Sequence, residues 1–102
     1  MNNKQYDEML TKSVMGDGTP EERGLLTSEL LKTIDQNGIT TYEVQNQLGL
    51  NMLRIRELTR QGRLIGVKDK VNNKVKWTID QRSVIKYDEY RKSLRKPKTE
   101  TE

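Results

Sequence analysis

The chain has 102 residues, 31% of them hydrophobic and 33% charged, with a net charge of +4, which suits one compact domain built on a small core. It contains no cysteine and no histidine, so disulfides, thiolate or imidazole metal sites and imidazole acid–base catalysis are excluded. No apolar run approaches the roughly 18–20 residues of a membrane span and no signal-peptide pattern follows the first residue, so a cytoplasmic protein is expected.

In residues 4–14 the helical period puts Tyr6, Met9, Leu10 and Val14 on one face. The next segment, MGDGTPEERG, is dense in Gly, Pro and Asp and is expected to be a loop. A second helix is predicted over residues 27–36, with Leu26, Leu30, Leu31 and Ile34 as its stripe and Asn37-Gly38 as a left-handed stop. Thr40-Thr41-Tyr42-Glu43 has the spacing of a capping box, in which Thr40 and Glu43 satisfy each other's free amides. The helix it opens turns Val44 and Leu48 inward and ends at Gly49. Asn51 caps the next helix, predicted to reach about Gln61 before Gly62 stops it. Only Gly49-Leu50-Asn51 separates these two helices, so they must cross steeply, as in a helix-turn-helix.

Beyond Gly62 the period becomes alternating. Two strands are predicted, 64–68 and 74–79, with Asn72-Asn73 as a tight turn. Leu64, Val67, Val75, Trp77 and Ile79 are expected on the buried side, and Lys68, Lys70, Lys74 and Lys76 on the wet one. A last helix begins after Asp80 with Val84, Tyr87, Tyr90 and Leu94 inward, and residues 95–102 are expected to be a disordered tail. The expected fold is mainly α with a small β-hairpin wing, a winged helix-turn-helix. Residues 1–24 form an N-terminal helix and loop, and residues 25–94 the winged helix-turn-helix domain.

Charge is unevenly placed. Residues 1–50 carry 4 basic and 8 acidic side chains, and residues 51–102 carry 15 and 7. Gathering cations in one half suits a polyanion-binding surface; a solvated charged face is the plainer alternative. With Ile55 inward, the helical phase puts Leu58, Thr59 and Gly62 on the same side. Leu53, Arg56, Glu57 and Arg60 fall opposite, with Met52, Arg54 and Gln61 on the flanks.

The expected major-groove set is therefore Asn51, Leu53, Arg54, Arg56, Glu57 and Arg60, with Arg54 leaning toward the backbone. An arginine fork matches the two acceptors of guanine, leucine packs on a thymine methyl, and glutamate accepts from cytosine. For Arg56 and Arg60, phosphate contact or plain solvation competes with base readout. Thr41, Tyr42, Arg63, Lys68, Lys70, Asn72, Asn73, Lys74 and Lys76 are expected on the sugar-phosphate backbone, since a flexible ammonium holds phosphate but discriminates bases poorly. For the hairpin tip, insertion in the adjacent minor groove and simple solvation both stand. Tyr42 either reaches phosphate or staples the cap. Trp77 is expected to pack under the wing rather than stack on a base.

Residues 39–93, about half the chain, resemble the excisionase and MerR-like winged-helix family. The likeness lies in Gly49-Leu50-Asn51, Gly62-Arg63-Leu64 and Trp77-Thr78-Ile79 in that order, with 13 positions from Gly49 to Gly62. Gln45 departs from the family pattern, which usually has a small residue there. The resemblance implies sequence-specific binding to double-stranded DNA, as an architectural factor in recombination or a transcriptional regulator of a phage or other mobile element, associated with the nucleoid. Residues 1–38 fall outside it and are read as a surface for self-association or for a protein partner. No enzymatic activity, cofactor or metal is expected. The alternative is a protein-interaction module on a winged-helix scaffold that does not bind DNA specifically.

Overall fold

The computed structural model describes residues 2–95, so the tail predicted over 95–102 lies outside the described residues beyond the backbone of Arg95. In chain order the elements are α1 (Asn3–Val14), α2 (Pro20–Lys32), α3 (Ile34–Asn37), β1 (Gly38–Thr40), α4 (Thr41–Leu48), α5 (Met52–Arg60), β2 (Gly66–Val71), β3 (Lys74–Asp80) and α6 (Gln81–Arg95). The fold is mainly helical, with a small antiparallel sheet ordered β1-β3-β2.

Local chemistry starts most of these helices. Capping boxes open α1 (Asn2 with Gln5), α2 (Thr19 with Glu22) and α4 (Thr40 with Glu43). Asn51 caps α5, its side chain accepting from the Arg54 amide at 2.9 Å. The segment expected as a loop is half helix instead. Pro20 fits the first helical position, where no amide hydrogen is needed, and the Thr19–Glu22 box completes the start. Gly24 then sits inside α2 with open space around it, costing only its ~1 kcal/mol propensity deficit against Ala. The helix predicted over 27–36 accordingly begins earlier and stops at Lys32, and Leu31 points to solvent rather than into the stripe.

Gly38 is not a left-handed stop. Its φ of −81° and ψ of 129° are extended, and it begins β1. A Cβ there would lie 2.6 Å from Thr78 Cγ2 and 2.7 Å from the Ile34 carbonyl, so close approach is what the position requires. β1 pairs with β3 through Gly38–Asp80, Ile39–Ile79 and Thr40–Thr78.

The hairpin turns through Asn72 (φ 54°) and Asn73 (φ 64°), the left-handed pair that matches the natural strand twist. That two-residue turn fixes the register, with Lys70 opposite Val75, Lys68 opposite Trp77 and Gly66 opposite Ile79. The expected division of the hairpin into apolar and lysine faces is therefore corrected. Directly opposed residues share a face, so Lys68 and Lys70 lie with Val75 and Trp77, while Lys74 and Lys76 lie with Val67 and Asp69. Leu64 and Val67 differ in parity and cannot share a strand face; Leu64 instead precedes the strand, fully buried. Val75, expected inside, is 58% exposed because the hairpin extends past the core. Leu94, expected inward, is exposed one turn beyond Tyr90.

The core joins Tyr6, Leu10 and Val14 of α1 to Leu26, Leu30, Val44, Leu48, Ile55, Leu58, Leu64, Ile79, Val84 and Tyr87. α1 packs against both α2 and α6, so the N-terminal helix shares one core with the rest of the described chain.

One polar cluster is buried with it. The Tyr6 hydroxyl donates to Asp80, whose carboxylate also receives Arg82 Nε and Nη2, each at 2.9 Å. The Arg82 guanidinium lies 4.1 Å from the Tyr6 ring centroid. Burial, then the hydrogen bond to Asp80, push the Tyr6 phenol far above its ordinary value. A group whose folded pKa is raised contributes stability that is present below its unfolded value, about pH 10, and lost above it. Between pH 10 and 11.5, urea unfolding is expected to show the parent chain losing stability faster than Tyr6→Phe, by about 1 kcal/mol per pH unit on average. Parallel losses in the two proteins would mean that the phenol is not held neutral.

Candidate nucleic-acid interface

α4 and α5 meet across Gly49, which adopts φ 67°. Val44 and Leu48 from α4 and Ile55 and Leu58 from α5 are buried, which turns the opposite side of α5 to solvent. Leu53 is 73% exposed there, beside exposed Arg56, Glu57 and Arg60; Met52 is half-buried. Among the described residues neither Arg56 nor Arg60 forms an ion pair.

Arg54 and Glu57 behave differently. Arg54 Nη1 donates to Glu57 at 2.9 Å, and Gln61 Nε2 reaches the other carboxylate oxygen at 3.5 Å. The hydrogen bond to Glu57 raises the Arg54 pKa. The Glu57 carboxylate expected to accept from cytosine is thus occupied by its own helix. Asn51 likewise uses its side-chain oxygen as the α5 cap.

A cleft of about 380 Å³ runs between α5 and the hairpin, lined by Arg56, Arg60, Lys68, Val75 and Trp77. Lys68 Nζ sits 5.6 Å from the Trp77 ring centroid. One wall is therefore the arginine face of α5, and the other is the half-apolar face of the hairpin that carries Lys68. Lys70, Asn72, Asn73, Lys74 and Lys76 are all exposed on the hairpin, but Lys74 and Lys76 face away from the cleft. Thr41 is half-buried at the start of α4, and Tyr42 is 69% exposed.

Arg63 is committed inward, contrary to its expected backbone contact. Its Nε donates to the Val14 carbonyl at 2.9 Å, and its guanidinium lies 5.8 and 5.5 Å from the Tyr87 and Tyr90 rings. Three more arginines are spent inside the fold. Arg23 donates to the Gln61 carbonyl at 3.1 Å, Arg82 holds Asp80, and Arg91 donates to the Leu48 carbonyl at 2.9 Å. Arg63, Arg23 and Arg91 each satisfy a carbonyl that a helix end leaves open, and Arg82 neutralises a buried carboxylate. The basic excess of residues 51–102 is thus only partly available to a partner.

Val75 and the exposed side of Trp77 were not expected in the site. The signal was present in the sequence: counting outward from a two-residue turn at Asn72-Asn73 places Lys68 and Trp77 together. No protein-family model matches the chain, and no curated protein or solved structure matches it either. Among the described residues no helix is long and apolar enough to cross a membrane, and no group of acidic side chains is disposed to hold a metal ion.

Proposed function

We propose that the chain is a sequence-specific double-stranded DNA-binding protein of winged helix-turn-helix type, resembling the excisionase and MerR-like family, with α5 as recognition helix and the β2–β3 hairpin as wing. The observation that carries this is the cleft: cations without acidic partners among the described residues stand on both of its walls, with exposed Val75 and half-buried Trp77 among them. Support for the winged form comes from the sheet order, because β1 immediately precedes α4 and pairs with the far strand of the hairpin.

Nine residues make α5 a rod of about 13 Å, a size the roughly 12 Å major groove admits. Arg56 and Arg60 are four residues apart, so both point the same way from that rod. Lys68, across the cleft, is suited to a phosphate of the strand bordering the groove. The role is that of an architectural factor in recombination or a transcriptional regulator, without catalysis.

Selection of bound sequences from a random duplex pool at physiological salt tests the proposal. Enrichment of one motif, with affinity falling steeply as salt rises, is the expected result. No motif together with a shallow salt dependence would overturn it and favour the protein-interaction module. Within the hairpin, Lys68→Ala should flatten the log–log salt slope by about one unit. Lys76→Ala, on the far face, should change it by less than half as much. Equal effects would place the duplex outside the cleft.

A further inference from the structure

The first three of the five residues that join α5 to the hairpin are held from outside by the N-terminal helices. Ser13, 1% exposed near the end of α1, donates its hydroxyl to the Gly62 carbonyl. Arg23, on α2, donates to the Gln61 carbonyl at 3.1 Å. Arg63 completes the exchange by donating to Val14, the last residue of α1, at 2.9 Å. Gly62 itself stands at φ +80°, and a Cβ there would lie 2.2 Å from Arg23 Cδ.

The location gives these contacts a consequence. Residues 61–65 are the covalent link between the two walls of the cleft, Arg56 and Arg60 on one side and Lys68 on the other. Pairing with β1 steadies only the base of β3, Thr78–Asp80, and the outer hairpin is not packed on the core. A link through glycine in the left-handed region has neighbouring conformations within reach. Apolar packing is non-directional, whereas three hydrogen bonds at fixed carbonyls define an angle.

We infer that α1 and α2 position the hairpin against α5, with Ser13, Arg23 and Arg63 as positioning residues that set the spacing of the cleft's two cationic walls. The consequence for DNA rests on the proposed duplex-binding function; the spacing itself does not. Two walls held at the correct spacing engage one duplex together, so the second contact forms at high effective concentration. Residues 1–38, outside the family resemblance, thereby gain a role in the site without touching the ligand.

The native chain has no cysteine, so spin labels at Leu53→Cys and Asn73→Cys report the α5-to-hairpin distance without DNA. A narrow distance distribution is expected in the labelled parent, and a clearly broadened one in Ser13→Ala/Arg23→Ala. Arg63→Lys, which keeps the charge but loses the Nε geometry, should broaden it with less disturbance of the fold. An unbroadened distribution in both variants overturns the inference whatever DNA does.

The second measurement is the salt slope of duplex binding. Loss of folded fraction lowers affinity by the same factor at every salt concentration and leaves the slope alone, whereas loss of one wall flattens it by about one unit. A flattened slope in Ser13→Ala/Arg23→Ala, with affinity down about tenfold at moderate salt, is expected. Reduced affinity at an unchanged slope overturns the positioning role. A shallow slope in the parent itself would instead overturn the DNA-binding function and leave the distance result standing.

Discussion

Replacing Asp80 by alanine is expected to destabilise the fold by about 3 kcal/mol, near the lower end for breaking a buried ion pair. Asp80 is fully buried at the end of β3, while the Arg82 side chain keeps 31% of its surface in solvent, which argues for the lower end. The carboxylate accepts from the Tyr6 hydroxyl, from Arg82 Nε and Nη2, and from the Arg82 amide at 2.9 Å. Removal strands a phenol and a guanidinium at the junction of α1, β3 and α6. In a chain of this size the loss corresponds to a melting temperature lower by roughly 12–20 °C. Asp80→Asn, which preserves shape and one acceptor, should lose less. Urea and thermal unfolding of both variants measure the effect. A change below about 1 kcal/mol for the alanine variant would show that water replaces the carboxylate and that the cluster does not anchor α1.

The second large effect concerns the proposed recognition of duplex DNA. Arg56→Ala should weaken binding to the selected duplex by about 1–3 kcal/mol, roughly 5- to 150-fold in Kd, and relax preference at one base pair. Arg56 has no acidic partner among the described residues to compete for it. Glu57→Ala should behave oppositely. Its carboxylate is tied to Arg54 at 2.9 Å, so its removal lifts a negative charge from the interface and tightens binding to all sequences slightly. Selection profiles of the two variants separate the cases. Relaxed cytosine preference in Glu57→Ala would show that the ion pair opens on DNA, and an unchanged profile in Arg56→Ala would turn α5 away from the bases.

The contrast between Arg56 and Arg63 shows where sequence reasoning stops. Both lie in the same basic stretch, and helical phase correctly turns Arg56 and Leu53 away from Ile55 and Leu58. Phase says nothing about Arg63, which follows the helix and meets the end of α1 from 49 positions away. The hairpin shows the opposite case. Its turn at Asn72-Asn73 was legible, and the register followed from it, yet grouping all four lysines on one face broke the two-residue alternation of a strand. The start of α2 was legible too, in Thr19, Pro20 and Glu22, but the density of Gly, Pro and Asp around them resembled a loop.

What the sequence determined by itself was settled within about four residues: the caps at Thr40, Asn51 and Thr19, the left-handed turn at Gly49, and the hairpin turn. The free backbone amides at these helix starts are satisfied by side chains three residues away, so the short-range pattern suffices there. Tertiary structure alone decided which cations remain for a partner. Arg23, Arg63 and Arg91 find carbonyls 38 to 49 residues away, and Tyr6 finds Asp80 across 74. A long side chain's partner depends on which helix end is brought beside it, and that follows from how the whole core packs.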